Sequence, residues 1–304
     1  YLARNPPPNL AGGMALVALL LEQTRPDSAT LRATLDTVSP KVLASAARTL
    51  VRIPDTLEAA LRISRELHAR QEGRAKRQLT WALAYRGRLR EAHAMTDSTD
   101  VELFAELAML EAIAEDTVAL VCREWLAADN ASGMYHALPW WAAQQDTASI
   151  NQAIESWRTQ LLSSGSMMPE DEPITGYAVE AAGAYLALAR GDSATALRQF
   201  QELPVWPWGD LYRERLTLGQ LLASVGRHGD AITVLEQAPV PRTNRPRPGE
   251  IYWILQRGAS HEALGDTVEA LRAYRFVSNT WHHADESLRP LVDDARQRRD
   301  RLSR

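Results

Sequence analysis

The chain has 304 residues, a formal net charge of −4, 45% hydrophobic residues and 24% charged residues. These values are ordinary for a globular protein, so they exclude a chain that is disordered along its length. The small negative charge also excludes attraction of the whole molecule to nucleic acid or to an anionic membrane. The longest apolar run, residues 14–21, is far shorter than the roughly 20 residues that a membrane-spanning helix needs.

Helical periodicity runs along the chain. Apolar residues recur at intervals of three and four, which is the helical period, and alternating β-branched segments typical of strands are missing from the sequence. Helix breakers interrupt this pattern at short intervals, and the clearest are Pro54, Gly73, Gly87, Gly191, Gly226 and Gly265. The pattern predicts an all-α chain of helices, each about ten to sixteen residues long, joined by short turns.

Three segments in the C-terminal half repeat one another. Residues 191–200, 226–235 and 265–274 each contain a glycine, a polar turn, an alanine and a large apolar residue four positions further on. The alanines Ala196, Ala231 and Ala270 recur after 35 and then 39 residues (231 − 196 and 270 − 231). A period of this length indicates repeated supersecondary units.

Each residue type in this pattern has a physical reason. Glycine ends the first helix of a pair because it adopts the left-handed conformation at no steric cost. The small alanine allows the second helix to approach the first, and the large residue four positions on lies on the same face and fills the space. Because one hairpin cannot bury both of its faces, such units are expected to stack on one another.

These spacings resemble the tetratricopeptide repeat. The clearest match comprises Leu218, Gly219, Leu222, Gly226, Ala231, Leu235 and Ala238, with Pro239 just after, and a weaker match covers residues 79–92. The resemblance implies a right-handed α-solenoid of antiparallel helical hairpins. We expect degenerate repeats over residues 1–162, a flexible acidic loop over 163–174, clear repeats over 175–280 and a C-terminal capping helix over 281–304. A helical bundle followed by three repeats is the alternative.

The C-terminal segment carries a second resemblance. Trp281, Ala284, Asp285, Leu288 and Pro290 are similar to the close of repeat regions attached to bacterial Ser/Thr kinases, nucleotide cyclases and transcriptional activators. This resemblance implies a regulatory array. The sequence begins with Tyr1 rather than Met, and we expect the chain to be part of a longer protein with an effector domain.

The residues that could take part in catalysis or metal binding are better explained by structural roles. The sequence contains no phosphate-binding glycine loop, nucleophile elbow or kinase motif. Cys122 lies in an amphipathic stretch and is predicted to be a core residue, while His261 takes the aromatic position of a repeat helix. The cluster at residues 282–286 is interpreted as a turn in which Asp285 caps the final helix, not as a metal site. We therefore predict no catalytic residue, metal or cofactor.

The resemblance also predicts where a partner binds. In tetratricopeptide arrays the first helix of each hairpin lines the concave face, and the register puts Tyr185, Arg213, Gln220, Tyr252 and Gln256 there. Trp206 and Trp208 are candidate exposed aromatic anchors, because aromatic residues are common in binding sites.

The sequence thus predicts a non-catalytic scaffold or sensor module that binds a protein or peptide, with no nucleic-acid partner. One alternative is a regulatory C-terminal array of a larger bacterial signalling enzyme or transcriptional activator, acting in cis. Another alternative is a helical enzyme with an unrecognised site. We expect the chain in the cytoplasm or, alternatively, at the extracytoplasmic sensor end of a membrane-anchored protein.

Overall fold

A computed structural model describes residues 61–65, 73–96, 100–163, 172–204, 212–236 and 247–304. All regular secondary structure in these ranges is helical, which confirms the predicted all-α class. Residues 61–65 are helical, and the complete helices are α1 (Gly73–Tyr85), α2 (Leu89–Met95), α3 (Val101–Met109), α4 (Glu115–Ala127), α5 (Ala131–Ala143), α6 (Thr147–Leu162), α7 (Glu172–Ala189), α8 (Ser193–Glu202), α9 (Tyr212–Ser224), α10 (His228–Glu236), α11 (Pro248–Ala263), α12 (Thr267–Thr280), a 3-10 turn (Glu286–Leu288) and α13 (Arg289–Leu302). None of the described helices is long and apolar enough to span a membrane.

The chain divides into two compact units. One unit combines Tyr1–Thr96 with Asn244–Tyr252 and Tyr274–Arg304, and the other combines Asp97–Thr243 with Trp253–Ala273. Helix α7 begins at Glu172, within the range 163–174 that the sequence predicts as a loop. The predicted domain boundaries stay predictions. Residues 164–171 of the predicted loop, and residues 1–60, 66–72 and 97–99 of the predicted repeat region, lie outside the described ranges.

The second unit contains four successive pairs of helices. The pairs are α3–α4, α5–α6, α7–α8 and α9–α10. The first helices of the first three pairs contact one another in order, because α5 packs against both α3 and α7. The second helix of a pair also contacts the first helix of the next pair: α6 packs against α7, and α8 packs against α9. This alternation brings residues from α3, α5, α7 and α9 close together.

The turns between paired helices share one geometry. In the described residues, positive φ angles occur at four glycines, Gly87, Gly191, Gly226 and Gly265, and at three other residues, Glu111, Asp129 and Gln145. At each of the seven, the residue's N–H donates to the carbonyl three positions back, and the next N–H donates to the carbonyl five positions back. This pair of bonds is the Schellman ending of a helix. Equivalent turns therefore recur in both halves of the described chain.

The residue after the turn often starts the next helix. Asn130, Asp146 and Asp192 each accept a hydrogen bond from the backbone N–H three positions on, with N–O distances of 2.9, 3.0 and 3.0 Å. A side-chain oxygen at this position satisfies one of the free N–H groups at a helix N-terminus. One helix therefore ends and the next one begins within three residues, which accounts for the short polar turns in the sequence.

Small residues allow the paired helices to approach closely, as predicted. A Cβ added to Gly219 on α9 would lie 2.9 Å from the Leu235 side chain on α10, which leaves no room for one. In the preceding pair, Ala196 is fully buried and the rings of Tyr185 and Phe200 pack edge to face with centroids 5.0 Å apart.

Several residues lie in the core as expected. Cys122 is buried, and its burial raises the pKa of the thiol to about 12, so the thiol stays protonated. His261 is buried in the aromatic position of α11 and its Nδ1 lies 3.0 Å from Asp266. Among the described residues, the largest side chains with almost no exposure are Trp81, Trp141, Trp157 and Trp281. Trp206 and Trp208 lie outside the described residues, so their role as anchors stays a prediction.

In the first unit, the C-terminal segment packs on the hairpin α1–α2. The Trp281 indole N–H donates to the Tyr85 carbonyl at 3.0 Å, and the Asp285 N–H donates to the Gly87 carbonyl at 2.9 Å. The Arg86 guanidinium donates to the Thr280 carbonyl at 2.6 Å. These contacts join residues almost 200 positions apart, whereas repeats in a simple solenoid contact only their neighbours in sequence.

The predicted role of Asp285 as a cap of the final helix is wrong. Its side chain makes no capping bond to its own segment, and the 3-10 turn Glu286–Leu288 precedes α13 instead. The Asp285 carboxylate accepts from the Arg90 backbone N–H at 2.7 Å and lies 3.4 Å from the Arg90 guanidinium. Arg90 is in the first turn of α2, whose own N-cap residue, Arg88, provides no side-chain cap. Asp285 therefore caps a helix that is distant in sequence.

Candidate functional site: a buried polar cluster

Polar side chains meet where α3, α5, α7 and α9 come together in the second unit. We call this group the buried polar cluster, and it comprises Glu106, Tyr135, His136, Tyr185, Arg213 and Glu214. Glu106, Arg213 and Glu214 are each less than 5% exposed. Charged side chains are almost never buried to this degree unless they have partners, so the cluster is the most unusual feature of the described residues.

Arg213 is at the centre of the cluster. Its guanidinium lies 2.6 Å from Nδ1 of His136 and donates to the carbonyls of His136 and Glu102 at 3.2 and 3.3 Å. Because a guanidinium can only donate, Nδ1 of His136 must be the acceptor, which places the imidazole proton on Nε2. The Glu106 carboxylate is 3.7 Å from the same guanidinium. One side chain of α9 thus links α3 and α5.

Glu214 is the second charged residue that α9 contributes. Its Oε1 accepts a hydrogen bond from the Tyr135 hydroxyl at 2.8 Å, while its Oε2 is buried and has no hydrogen-bond partner among the described residues. Burial raises the pKa of the Glu214 carboxyl from 4.5 to about 7, against the opposing effects of the Tyr135 hydrogen bond and the charge of Arg213. Glu214 therefore gains or loses its proton near neutral pH.

Tyr185 joins the cluster from α7. Its hydroxyl lies 3.5 Å from the Thr217 hydroxyl, which donates to the Arg213 carbonyl at 2.9 Å. Burial, followed by the nearby Glu214 charge, raises the pKa of Tyr185 well above its usual value, so the phenol stays neutral. The contacts of Tyr185 are therefore those of a hydrogen-bonded core residue.

The structure places the five predicted groove residues in different environments. Tyr185 and Arg213 are buried and belong to the cluster, whereas Gln220 on α9 is partly exposed. Tyr252, in the first unit, and Gln256, in the second, are also partly exposed on α11. The side chains of Tyr185 and Arg213 are thus occupied by contacts between helices, and a peptide-binding role for the five residues stays a prediction.

Sequence reasoning missed four members of the cluster: Glu106, Tyr135, His136 and Glu214. Glu106 has apolar neighbours in sequence and lies within the largely apolar helix α3, whereas Glu214 lies between two arginines, as a solvent-exposed acid would. A charged residue within an apolar helix face is the one feature in the sequence that could have indicated burial with a partner. The partners themselves are 77 or more positions away and follow only from the packing of the helices.

The cluster can hold a proton and fix the spacing of four helices. Clusters of residues with shifted pKa values are common at functional sites, but networks that only stabilise a fold shift pKa values as well. Here the side-chain hydrogen bonds between Tyr135 and Glu214 and from Arg213 join α9 to α5 and α3, and the three charged side chains are buried. These contacts support a role in holding the helices in register.

The pH dependence of stability should report the Glu214 environment. A carboxyl whose pKa is raised on folding holds its proton more tightly in the folded chain than in the unfolded chain. The contribution of Glu214 to the free energy of unfolding is therefore complete below about pH 4.5 and is lost as the pH rises to about 7. The shift corresponds to at most about 3 kcal/mol. We expect Glu214→Gln to abolish this loss. The free energy of unfolding of the variant, relative to that of the wild type, should therefore increase between pH 5 and pH 8.

Urea unfolding at pH 5, 6, 7 and 8 measures the effect. The control is Glu155→Gln, which removes an exposed carboxylate from α6. Equal pH dependence of the wild type and Glu214→Gln would show that Glu214 titrates as an exposed acid does.

No protein-family model, no curated protein and no solved structure matches this chain. The resemblance to tetratricopeptide repeats therefore rests on the sequence positions named above.

Proposed function

We propose that the chain is a non-catalytic module that binds a protein or a peptide, built as a right-handed solenoid of tetratricopeptide-like hairpins. The observation that carries this proposal is the recurrence of one Schellman turn at seven positions of the described chain. Stacked hairpins of this kind provide long, continuous surfaces that suit extended ligands. The alternative is a regulatory C-terminal array of a larger bacterial signalling enzyme or transcriptional activator, acting in cis.

The binding face follows from the register of α9. Arg213, Thr217 and Gln220 are spaced by four and three residues, so they lie on one face of the helix. Arg213 is buried in the cluster, and Gln220, about two turns further on, is partly exposed. Arg213, at the buried end of this face, holds the helices together, and Gln220, at the exposed end, contacts the ligand. Gln220 and Gln256 provide amide groups that can pair with a peptide backbone.

Peptide selection tests the proposal. The full chain is immobilised and used to select from a phage-displayed library of random peptides, and the enriched sequence is synthesised with a fluorescent label. We expect one consensus sequence, and we expect Gln220→Arg to weaken its binding by about tenfold in fluorescence anisotropy, which is the effect of losing one important contact.

Gln152→Arg is the matched control, because Gln152 is an exposed glutamine on α6. Binding that is unchanged in Gln152→Arg and weakened in Gln220→Arg supports the proposal that the ligand binds on the concave face. If selection enriches no sequence, or if the two variants bind equally well, the proposed face is wrong.

A further inference from the structure

The hydrogen bond between His136 and Arg213 requires a neutral imidazole. The Arg213 guanidinium lies 2.6 Å from Nδ1 of His136, and because a guanidinium can only donate, Nδ1 carries no proton in this arrangement. A proton on Nδ1 would remove the acceptor and place two positive charges in contact. The folded chain therefore resists proton uptake by His136, whereas a histidine in an unfolded chain takes up its proton at about pH 6.5.

Glu214 favours the opposite change. The residue is 4% exposed and its Oε2 has no hydrogen-bond partner among the described residues, so a negative charge on the carboxyl is poorly stabilised. Burial accordingly raises the pKa of the Glu214 carboxyl from 4.5 to about 7. The folded chain therefore holds a proton on Glu214 that the unfolded chain releases in mild acid.

Both groups act on the same pair of helices. Arg213 and Glu214 are adjacent on α9, and Tyr135 and His136 are adjacent on α5. Arg213 bonds to His136, and the Tyr135 hydroxyl donates to Glu214 at 2.8 Å. Separation of α9 from α5 would therefore break both bonds and bring the imidazole and the carboxyl into water together.

The surrounding groups keep their charge states near neutral pH. The Glu106 carboxylate on α3 lies 3.7 Å from the guanidinium and balances its charge, while Glu102, in the first turn of α3, is partly exposed. From α7, Tyr177 and Tyr185 stay neutral because burial raises the pKa of each phenol well above its usual value. All charged residues of α4 and α6, which also pack on α5, are exposed. The response of the contact to pH is therefore set by the imidazole and the carboxyl described above.

We propose that the titrations of His136 and Glu214 compensate each other, so that the contact between α5 and α9 keeps its strength between about pH 5 and pH 6.5. When the helices separate in this range, Glu214 releases a proton and His136 takes one up, so the number of bound protons changes little. Stability depends on pH only through a difference in bound protons between two states. The proposal concerns the helices alone and is independent of the peptide-binding function proposed above.

Urea unfolding of four full-length proteins at pH 5, 5.5, 6 and 6.5 tests the proposal. The proteins are the wild type, Glu214→Gln, His136→Gln and the double variant, which has neither titrating group and is the reference for the rest of the chain. His136→Gln retains an acceptor for Arg213 and does not titrate. Relative to the double variant, the folding equilibrium constant should fall about tenfold from pH 6.5 to pH 5 in Glu214→Gln and rise about tenfold in His136→Gln. The constant of the wild type should change less than about threefold.

His283→Gln, which removes an exposed histidine, is the control and should behave as the wild type does. Single variants that change in the same direction, or a wild-type constant that changes as much as either of theirs, would overturn the proposal.

Imidazole NMR of the wild type gives a second readout that needs no variant. At pH 5.5 the ¹⁵N signals of His136 in the folded chain should be those of a neutral ring with its proton on Nε2, and in the urea-unfolded chain those of a protonated ring. A protonated His136 in the folded chain at this pH would also overturn the proposal.

Discussion

Replacing Arg213 with methionine is expected to lower the free energy of unfolding by about 3–5 kcal/mol, the usual effect of removing one member of a buried ion pair. The guanidinium bonds to His136 and to two backbone carbonyls and lies 3.7 Å from Glu106. Methionine fills a similar volume but donates no hydrogen bond, so these acceptors lose a donor in a region that water does not reach. Chemical denaturation followed by circular dichroism measures the loss.

A double variant separates charge from packing. In Arg213→Met with Glu106→Gln, the carboxylate charge is also removed, and we expect part of the lost stability to return. Arg272→Met is the control, since Arg272 is 71% exposed and pairs with Glu269 on the surface. Its cost should be under about 1 kcal/mol. If Arg213→Met costs no more than Arg272→Met, the cluster does not hold α3, α5 and α9 together.

Gly87→Ala should be the second most damaging change, with a loss of about 2–5 kcal/mol. The φ angle of Gly87 is +79°, which costs an alanine about 1–2 kcal/mol. The new Cβ would also lie 2.7 Å from the Ala284 Cβ and 3.1 Å from Trp281 and Leu288 atoms, and such overpacking costs about 1–3 kcal/mol more. The C-terminal segment would have to move away from the hairpin α1–α2.

Gly191→Ala provides a matched control for the turn. Gly191 has a φ of +76°, but its added Cβ meets nothing within 4 Å. It should therefore show the conformational cost alone. Hydrogen exchange of residues 279–288 gives a second readout, and it should increase in Gly87→Ala and stay unchanged in Gly191→Ala. Equal losses of stability in the two variants would mean that residues 281–288 are not packed on Gly87.

Local structure was predictable where the residue type itself determines the backbone. The turn glycines Gly87, Gly191, Gly226 and Gly265 all have positive φ, because glycine tolerates this conformation without strain. The close approach of α9 and α10 also followed from Gly219, since a missing side chain leaves a space that Leu235 fills. These features depend on neighbours within one hairpin.

Turns without glycine were harder to recognise. Glu111, Asp129 and Gln145 take the same left-handed conformation, although side chains with a Cβ resist it. At these positions the hydrogen bonds and packing of the flanking helices outweigh the local preference. The polar residues after the turn, such as Asn130 and Asp146, were the remaining indication.

Contacts between distant parts of the chain could not be predicted from periodicity. Asp285 was expected to cap its own helix, but it caps α2 because the C-terminal segment packs on that hairpin. In the same way, Tyr185 and Arg213 were placed on a groove by the register alone. The partners that bury Arg213 come from α3 and α5, which contribute Glu106 and His136. A helical period identifies the face of a helix and does not identify what that face contacts.

A double glycine substitution tests whether the hairpin unit recurs even where its turn glycine is missing. Glu111 and Gln145 are exposed and have positive φ, so Glu111→Gly with Gln145→Gly should relieve strain. We predict that thermal and urea unfolding will show a gain of about 1 kcal/mol for the double variant. Glycine placed within an ordinary helix costs about 1 kcal/mol per site instead. A double variant less stable than the wild type would therefore contradict the repeated turn, on which the proposed repeat architecture rests.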